Sequence, residues 1–374
     1  MPLKIYSMKK LAILFTLTFI SAFTFAQCNG RYQTEIFSSV TVTEVNYSDV
    51  YTDNEHKMDI YTANGDTSTN RPVILYMHGG SFTAGDKTTS DCVDFCESMA
   101  KKGYVTASLN YRLSDFSFLF SNEIQYETVL KAVSDAKSAI RYFRKDFAAV
   151  NTYGIDPNTI FVGGYSAGAV IAVHLAYIDS ISDLPTTPIN VQTIVNNVGG
   201  TNGLEGDAGN YGYSSDLSGV ISFAGGINDV NWIDSNDEPL VSVQGTDDLT
   251  VNYNCGPGQN IASVLTLCGS GEMHPKADAI GLLNDKLIFS GEGHNWAAYG
   301  NSNPKFIQAM GFTTDFLFPL LPCNNTTSIS EEKTRNKKLI RITDMLGRNA
   351  NIISKSPLFY IYDDGSVEKK IILN

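Results

Sequence analysis

The sequence predicts an α/β fold built on a doubly wound, mostly parallel sheet, and three observations predict it. Short apolar runs alternate with longer stretches of helical composition, the order expected when helices cover both faces of a sheet. Between Glu123 and Val150 the residues Val129, Ala132, Val133, Ala136, Ile140 and Phe143 recur every three or four positions, which places them on one face of a long helix. Around residue 166 an apolar run enters a Gly-flanked turn and leaves as a helix. The 374 residues, 43% of them hydrophobic, suffice for one large domain with small appendages.

In chain order, Met58 to Thr62 and Pro72 to Met77 read as strands, the second running into the pair Gly79-Gly80. A helix through Asp91 to Lys101 precedes an apolar strand from Tyr104 to Asn110, and the long helix of 123 to 150 packs its apolar face on the sheet. Ile160 to Gly164 is a strand that feeds Ser166, and Ala167 to Tyr177 is the helix beyond it. From Asp179 to Gly219 the chain is rich in Gly, Asn, Thr and Pro, which fits either a cap facing the substrate or a plain surface connection. Val220 to Ala224, Leu240 to Gln244 and Lys286 to Ser290 complete the strands, and a last helix lies near Pro304 to Leu321. Residues 27 to 322 thus form the main domain. Residues 323 to 338 are polar and charged, the composition of a linker, and 339 to 374 hold β-like runs at Leu339 to Thr343 and Leu358 to Tyr362.

The formal charge of −12 disfavours nucleic acid and anionic lipid as partners. Residues 1 to 26 have the form of a signal peptide: Lys9 and Lys10, an apolar core from Leu11 to Phe25, and a small-residue end at Ala26. Met8 offers an alternative start, and the residues before Cys28 lack a lipidation box. The apolar core, at about 15 residues, is short of the roughly 20 that span a bilayer, so a secreted protein without stable membrane insertion is expected. All six cysteines follow the expected cleavage point, and an even number in an exported chain suggests disulfides. Cys255 and Cys268, close together in one Gly-rich stretch, are the favoured bridge; Cys92 and Cys96, one helical turn apart, are expected to find separate partners. Buried free thiols are the alternative for the set.

Gly164-Tyr165-Ser166-Ala167-Gly168 fits the G-x-S-x-G turn, which lifts a serine above a sheet for nucleophilic attack. Upstream, His78-Gly79-Gly80-Ser81-Phe82 offers backbone N–H donors for an oxyanion: Gly79, Gly80 and Ser81, with Ala167 as the remaining donor. After the strand ending at Gln244, Gly245-Thr246-Asp247-Asp248 sets two carboxylates, Asp247 and Asp248, at a strand's C-terminal end, of which only one can hold the imidazole. Of His56, His78, His174, His274 and His294, only the last two follow the acid in chain order. His294, after a strand and a Gly-rich loop, is the candidate base. His78 is assigned to organising its loop, His174 to packing in the helix after Ser166, and His274 to a helix start. No metal or cofactor motif is present, and none is expected.

With those residues in hand, positions 50 to 321 resemble carboxylesterases of the α/β-hydrolase superfamily that carry a His-Gly-Gly oxyanion loop. Asn110-Tyr111-Arg112-Leu113 and Gly154-Ile155-Asp156-Pro157-Asn158 resemble stretches flanking the same sites, and the preference for Asp248 rests on the Gly-Thr-x-Asp-x-x-Val pattern of that group. The fourth residue of the loop is Ser81 where the group carries glycine. The resemblance implies a serine esterase with Ser166 as nucleophile, His294 as base and Asp248 as acid, short-chain acyl esters being the expected substrates. Acetylated or feruloylated polysaccharides, polyesters, amides or peptides, and a binding role without catalysis are the alternatives. The tail from about residue 328, through Asp344-Met345-Leu346-Gly347-Arg348, Pro357-Leu358-Phe359-Tyr360-Ile361-Tyr362 and Val367 to Ile372, resembles the short C-terminal sorting domain of the type IX secretion system of Bacteroidetes. That implies the secretion machinery as a partner and an extracellular or cell-surface location.

Overall fold

A computed structural model describes residues 28, 30–322, 339–343, 348, 358–362 and 367–370. The expected signal peptide, the linker and Cys323 lie outside the described residues. The chain divides into two compact units, the first ending at Asn324.

In the first unit the strands are β1 (Val40–Asn46), β2 (Lys57–Ala63), β3 (Arg71–Met77), β4 (Val105–Leu109), β5 (Ile155–Tyr165), β6 (Gly219–Phe223), β7 (Leu240–Gly245) and, after a small hairpin, β10 (Asn284–Phe289). They form one sheet in the order β1-β2-β4-β3-β5-β6-β7-β10. β2 is antiparallel to both β1 and β4, and from β4 onward every pairing is parallel. The helices are α1 (Ser90–Lys101), α2 (Asn122–Ala149), α3 (Ala167–Tyr177), α4 (Val191–Gly199), α5 (Ser270–Ile280) and α6 (Pro304–Leu317). The hairpin between β7 and α5 pairs β8 (Cys255–Pro257) with β9 (Thr266–Cys268).

The central strands β3, β4, β6 and β7 are buried at every residue, as helix-covered parallel strands must be, which is why they read as unbroken apolar runs. β1, an exposed edge strand, escapes that signal because its polar residues point to water. Two apolar clusters fill the layers on either side of the sheet, one under α2 and α3 and the other under α1 and α6. α2 is capped by Ser121, whose hydroxyl accepts the Ile124 N–H at 3.3 Å, and all six residues of the expected face are buried. α3 is buried all round, so it stands at the centre of its layer. The last helix ends at Leu317, four residues sooner than expected, and a 3-10 turn over Phe318–Leu320 follows because Pro319 cannot donate an N–H to continue it.

Two expectations are corrected. Cys92 and Cys96 are free thiols, not bridged, because both point from α1 into the layer beneath the sheet. The bridge Cys255–Cys268 is present, and Cys28 is also disulfide-bonded. His274 sits in the second turn of α5 rather than at its start, buried between Ser242 and Asn284.

In the second unit the described strands are β11 (Leu339–Thr343), β12 (Leu358–Tyr362) and β13 (Val367–Lys370). They form a three-stranded antiparallel sheet.

Candidate active site

Ser166 sits between the end of β5 and the start of α3 with φ 56° and ψ −118°, a conformation a non-glycine residue holds only under strain. The turn is this tight because glycines flank it. A Cβ on Gly168 would lie 2.0 Å from the Met77 carbonyl oxygen, and one on Gly164 would lie 2.5 Å from the same atom. The Ser166 N–H donates to Phe223 O at 2.8 Å, which ties the turn to β6. The side chain thereby stands above the C-terminal ends of the central strands.

Asp248 follows β7 and His294 follows β10, adjacent strands in the sheet. Ser166 Oγ lies 2.8 Å from His294 Nε2, and His294 Nδ1 lies 2.7 Å from Asp248 Oδ2. With the imidazole proton on Nδ1, the serine hydroxyl donates to Nε2 and Nδ1–H donates to the carboxylate. Asp248 is only 2% exposed, and its other oxygen accepts the N–H groups of Thr250 and Val251, each at 2.9 Å. Asp247 instead lies exposed and accepts from the Thr246 hydroxyl. The acid and histidine loops are laced together: Asp247 N–H donates to Glu292 O at 2.9 Å, and Gly291 N–H to the Thr246 hydroxyl at 2.8 Å.

Tyr165, the variable residue before the serine, is a positioning residue that sequence reading missed. Its ring stacks on His294 at 5.2 Å between centroids, and its hydroxyl donates to His294 O at 3.1 Å.

The loop after β3 turns back sharply: Gly80, Ser81 and Phe82 all have positive φ, and Gly80 O accepts from Thr83 and Ala84. A Cβ on Gly79 would come within 3.2 Å of Ser166 Cβ, so this backbone passes close to the serine. Among the described residues the N–H groups of Gly79, Gly80 and Ser81 have no hydrogen-bond acceptor, and Ala167, as the first residue of α3, has no intrahelical one. His78 holds this loop. Its Nδ1–H donates to Gly79 O at 2.6 Å and its ring stacks on Tyr111 at 4.3 Å, while the Tyr111 hydroxyl donates to His78 O. Burial lowers the pKa of His78 and keeps the imidazole neutral. His174 is buried in α3 against Val170 O and Asn228. His56 lies between Asp53 and Asp135, away from the serine, with Nε2 3.2 Å from Asp135 in an ion-pair approach that lacks hydrogen-bond alignment.

Beside Ser166 opens a small apolar pocket of ≈ 50 Å³, walled by Ser81, Phe82, Phe118, Val170, Val251 and Leu267 among others. The segment 179–219 is not part of it. That stretch folds over α2, where Glu205 meets Lys137 and Arg141.

The sequence matches the BD-FAE family over residues 58–257, more than half of the chain. The protein belongs to the BD-FAE family. This BD-FAE member aligns with curated relatives over short stretches. Esterase B1 of Culex pipiens is 32% identical over 130 residues, 34% of this chain and 23% of the relative. Para-nitrobenzyl esterase of Bacillus subtilis is 33% identical over 112 residues, 29% of this chain and 22% of the relative. The chain thus spans under a quarter of the length of these relatives. Among solved structures, a thermophilic esterase of Thermogutta terrifontis with propionate bound superposes with a TM-score of 0.53 at 21% identity, covering 75% of this chain and 94% of that one. A truncated carbohydrate esterase from gut microbiota gives 0.55 at 19%, covering 76% and 97%. These likenesses show the α/β-hydrolase fold in this BD-FAE chain.

Proposed function

We propose that this protein is a secreted serine carboxylesterase that hydrolyses esters of short acyl groups. The observation that carries the reading is the unbroken hydrogen-bonded chain from Asp248 through His294 to Ser166, ending beside unpartnered backbone donors. In this mechanism Ser166 Oγ attacks the acyl carbon as its proton passes to His294 Nε2. The negative oxygen that forms is held by N–H groups drawn from Gly79, Gly80, Ser81 and Ala167. His294 then returns the proton to the departing alcohol, leaving an acyl-serine. Water, deprotonated by the same nitrogen, attacks the acyl-serine and releases the acid with Ser166 restored. Asp248 fixes the imidazole tautomer and stabilises the imidazolium.

Family membership and the esterase names of the relatives support this reading, and the propionate and butyrate found on the Thermogutta enzyme support short acyl groups. Export rests on the signal-peptide form of residues 1 to 26 and on the tail's resemblance to a type IX sorting domain. The test is hydrolysis of p-nitrophenyl acetate and butyrate by mature protein, wild type against Ser166→Ala. Loss of activity by about a thousandfold or more is expected; folded wild type without activity would overturn the esterase reading. Secretion is checked separately by deleting 328–374 in a host with the type IX machinery, which should retain the protein inside the cell envelope.

A further inference from the structure

The pocket beside Ser166 has a second chamber behind it. The inner space, ≈ 30 Å³, shares Phe82, Phe118, Val170, Val264 and Leu267 with the outer one and ends at Gln125 and Asn228. Lining both spaces, these five side chains are the candidates for a partition between them. Phe82 and Phe118 stand together among them, their rings 5.5 Å apart. Val264 and Leu267 both belong to the segment between Asp248 and α5 that carries the β8–β9 hairpin.

That segment is fixed at several points. The Cys255–Cys268 bridge closes its base, and Cys268 exchanges two backbone hydrogen bonds with Ile227. At its far end Gln125, 1% exposed, spends its whole amide on it and its neighbours. The Gln125 Nε2–H groups donate to Phe118 O at 2.6 Å and Ser263 O at 3.1 Å, and Oε1 accepts Leu265 N–H at 2.9 Å. Phe118 and the hairpin segment are therefore tied to the same side chain. Asn228 is likewise occupied by His174 and Thr266. The inner chamber ends in polar groups that already have partners, so an apolar chain entering it would strand none of them.

We propose that the disulfide-clamped segment, bolted to Phe118 through Gln125, is the gauge that sets acyl length; this rests on the esterase reading above. The leaving alcohol must face His294, which donates its proton, and His294 does not line the pocket, so the acyl chain is the part that enters. A water-sized group needs about 10–15 Å³ of such space. The outer chamber then holds an acyl chain of about two to four carbons, and the partition stops a longer one.

The experiment is kcat/KM for p-nitrophenyl acetate, butyrate, hexanoate and octanoate with wild type, Leu267→Ala and Val264→Phe. Opening the partition in Leu267→Ala should raise the hexanoate-to-acetate ratio by about tenfold or more, the effect of one or two methylenes gaining a pocket. Filling it in Val264→Phe should lower the butyrate-to-acetate ratio by about the same factor. Wild type that turns over octanoate as well as acetate, or ratios unchanged in either folded variant, would overturn the proposal while leaving the esterase reading intact. Wild type that hydrolyses none of the four would instead remove the esterase reading on which it stands.

Discussion

Replacing Asp248 by asparagine tests the order of protons in the site, because the structure dictates how the amide must sit. One carboxylate oxygen accepts two backbone N–H groups, from Thr250 and Val251, and the other accepts His294 Nδ1–H. An amide has one acceptor oxygen and one NH2 donor. If the NH2 faced Thr250 and Val251, two buried N–H donors would be left unpaired, at about 1–3 kcal/mol each. The amide oxygen therefore stays with the backbone, and the NH2 turns to His294 Nδ1. That nitrogen must then accept, so the imidazole proton moves to Nε2, where it faces Ser166 Oγ and the ring can no longer take the serine proton. Shape and packing are unchanged, yet kcat should fall by about ten-thousandfold, the loss seen when a triad histidine is held in the wrong tautomer. At about 1.4 kcal/mol per tenfold that is about 5 kcal/mol of barrier. The assay is p-nitrophenyl butyrate turnover, with thermal unfolding as a control for the fold. Asp248→Asn protein that retains a tenth or more of wild-type kcat would refute the assignment of Asp248.

Three further perturbations follow from the same geometry. Gly168→Ala places a Cβ 2.0 Å from the Met77 carbonyl, and backbone cannot yield there; destabilisation of about 3 kcal/mol or more is expected in urea unfolding, and an unchanged midpoint would contradict the close approach. Burial pushes the carboxyl of Asp91, 2% exposed at the start of α1, up to about 6. The folded state thus holds this proton more tightly than the unfolded chain, and the group's contribution is full below about pH 4 and declines as pH rises to about 6. Asp91→Asn should then raise stability at pH 8 by up to about 3 kcal/mol and by little at pH 4, so an equal Tm change at both would count against it. Removing the hairpin bridge in Cys255→Ser/Cys268→Ser opens a short loop worth about 3 kcal/mol; Tm should fall and the preference for short acyl groups should broaden, whereas an unaltered acyl series would show that Gln125 alone holds the wall.

How much of this was legible in the sequence depends on how far each constraint reaches along the chain. The serine turn was readable because its demands are local: Gly164 and Gly168 are needed within two residues of Ser166, and the strand and helix on either side announce themselves by composition. The central strands were readable because burial on both faces leaves an unbroken apolar run. Chain order set aside His56, His78 and His174, and the strand and Gly-rich loop before His294 separated it from His274. What stayed hidden depends on contacts distant in sequence. Nothing near Tyr165 indicates that its ring would lie on a histidine 129 residues away, nor does the composition of 179–219 reveal that Glu205 would fix it to α2 through Lys137 and Arg141. The free state of Cys92 and Cys96 depends on where α1 presents its buried face, which spacing alone leaves open.

The two kinds of legibility track a division of labour in the molecule. The Ser166, Asp248 and His294 side chains leave the ends of β5, β7 and β10, strands whose register is fixed by the buried core, so their mutual distances are set by the sheet. The acyl pocket is walled instead by Phe82, Phe118 and a segment that leaves the sheet after Asp248 and returns at α5. Loops alone would hold such a wall loosely, and a wall that moves by an ångström does not discriminate between acyl chains differing by one carbon. The disulfide at the base and the buried Gln125 amide at the tip supply the stiffness that the segment's own short strands lack. Because those ties touch neither Ser166 nor His294, the wall can be reshaped without disturbing the proton path. Selectivity and rate should accordingly separate under mutation: changes at Val264 and Leu267 should move the acyl profile, and changes at Asp248 should lower every ester by the same factor.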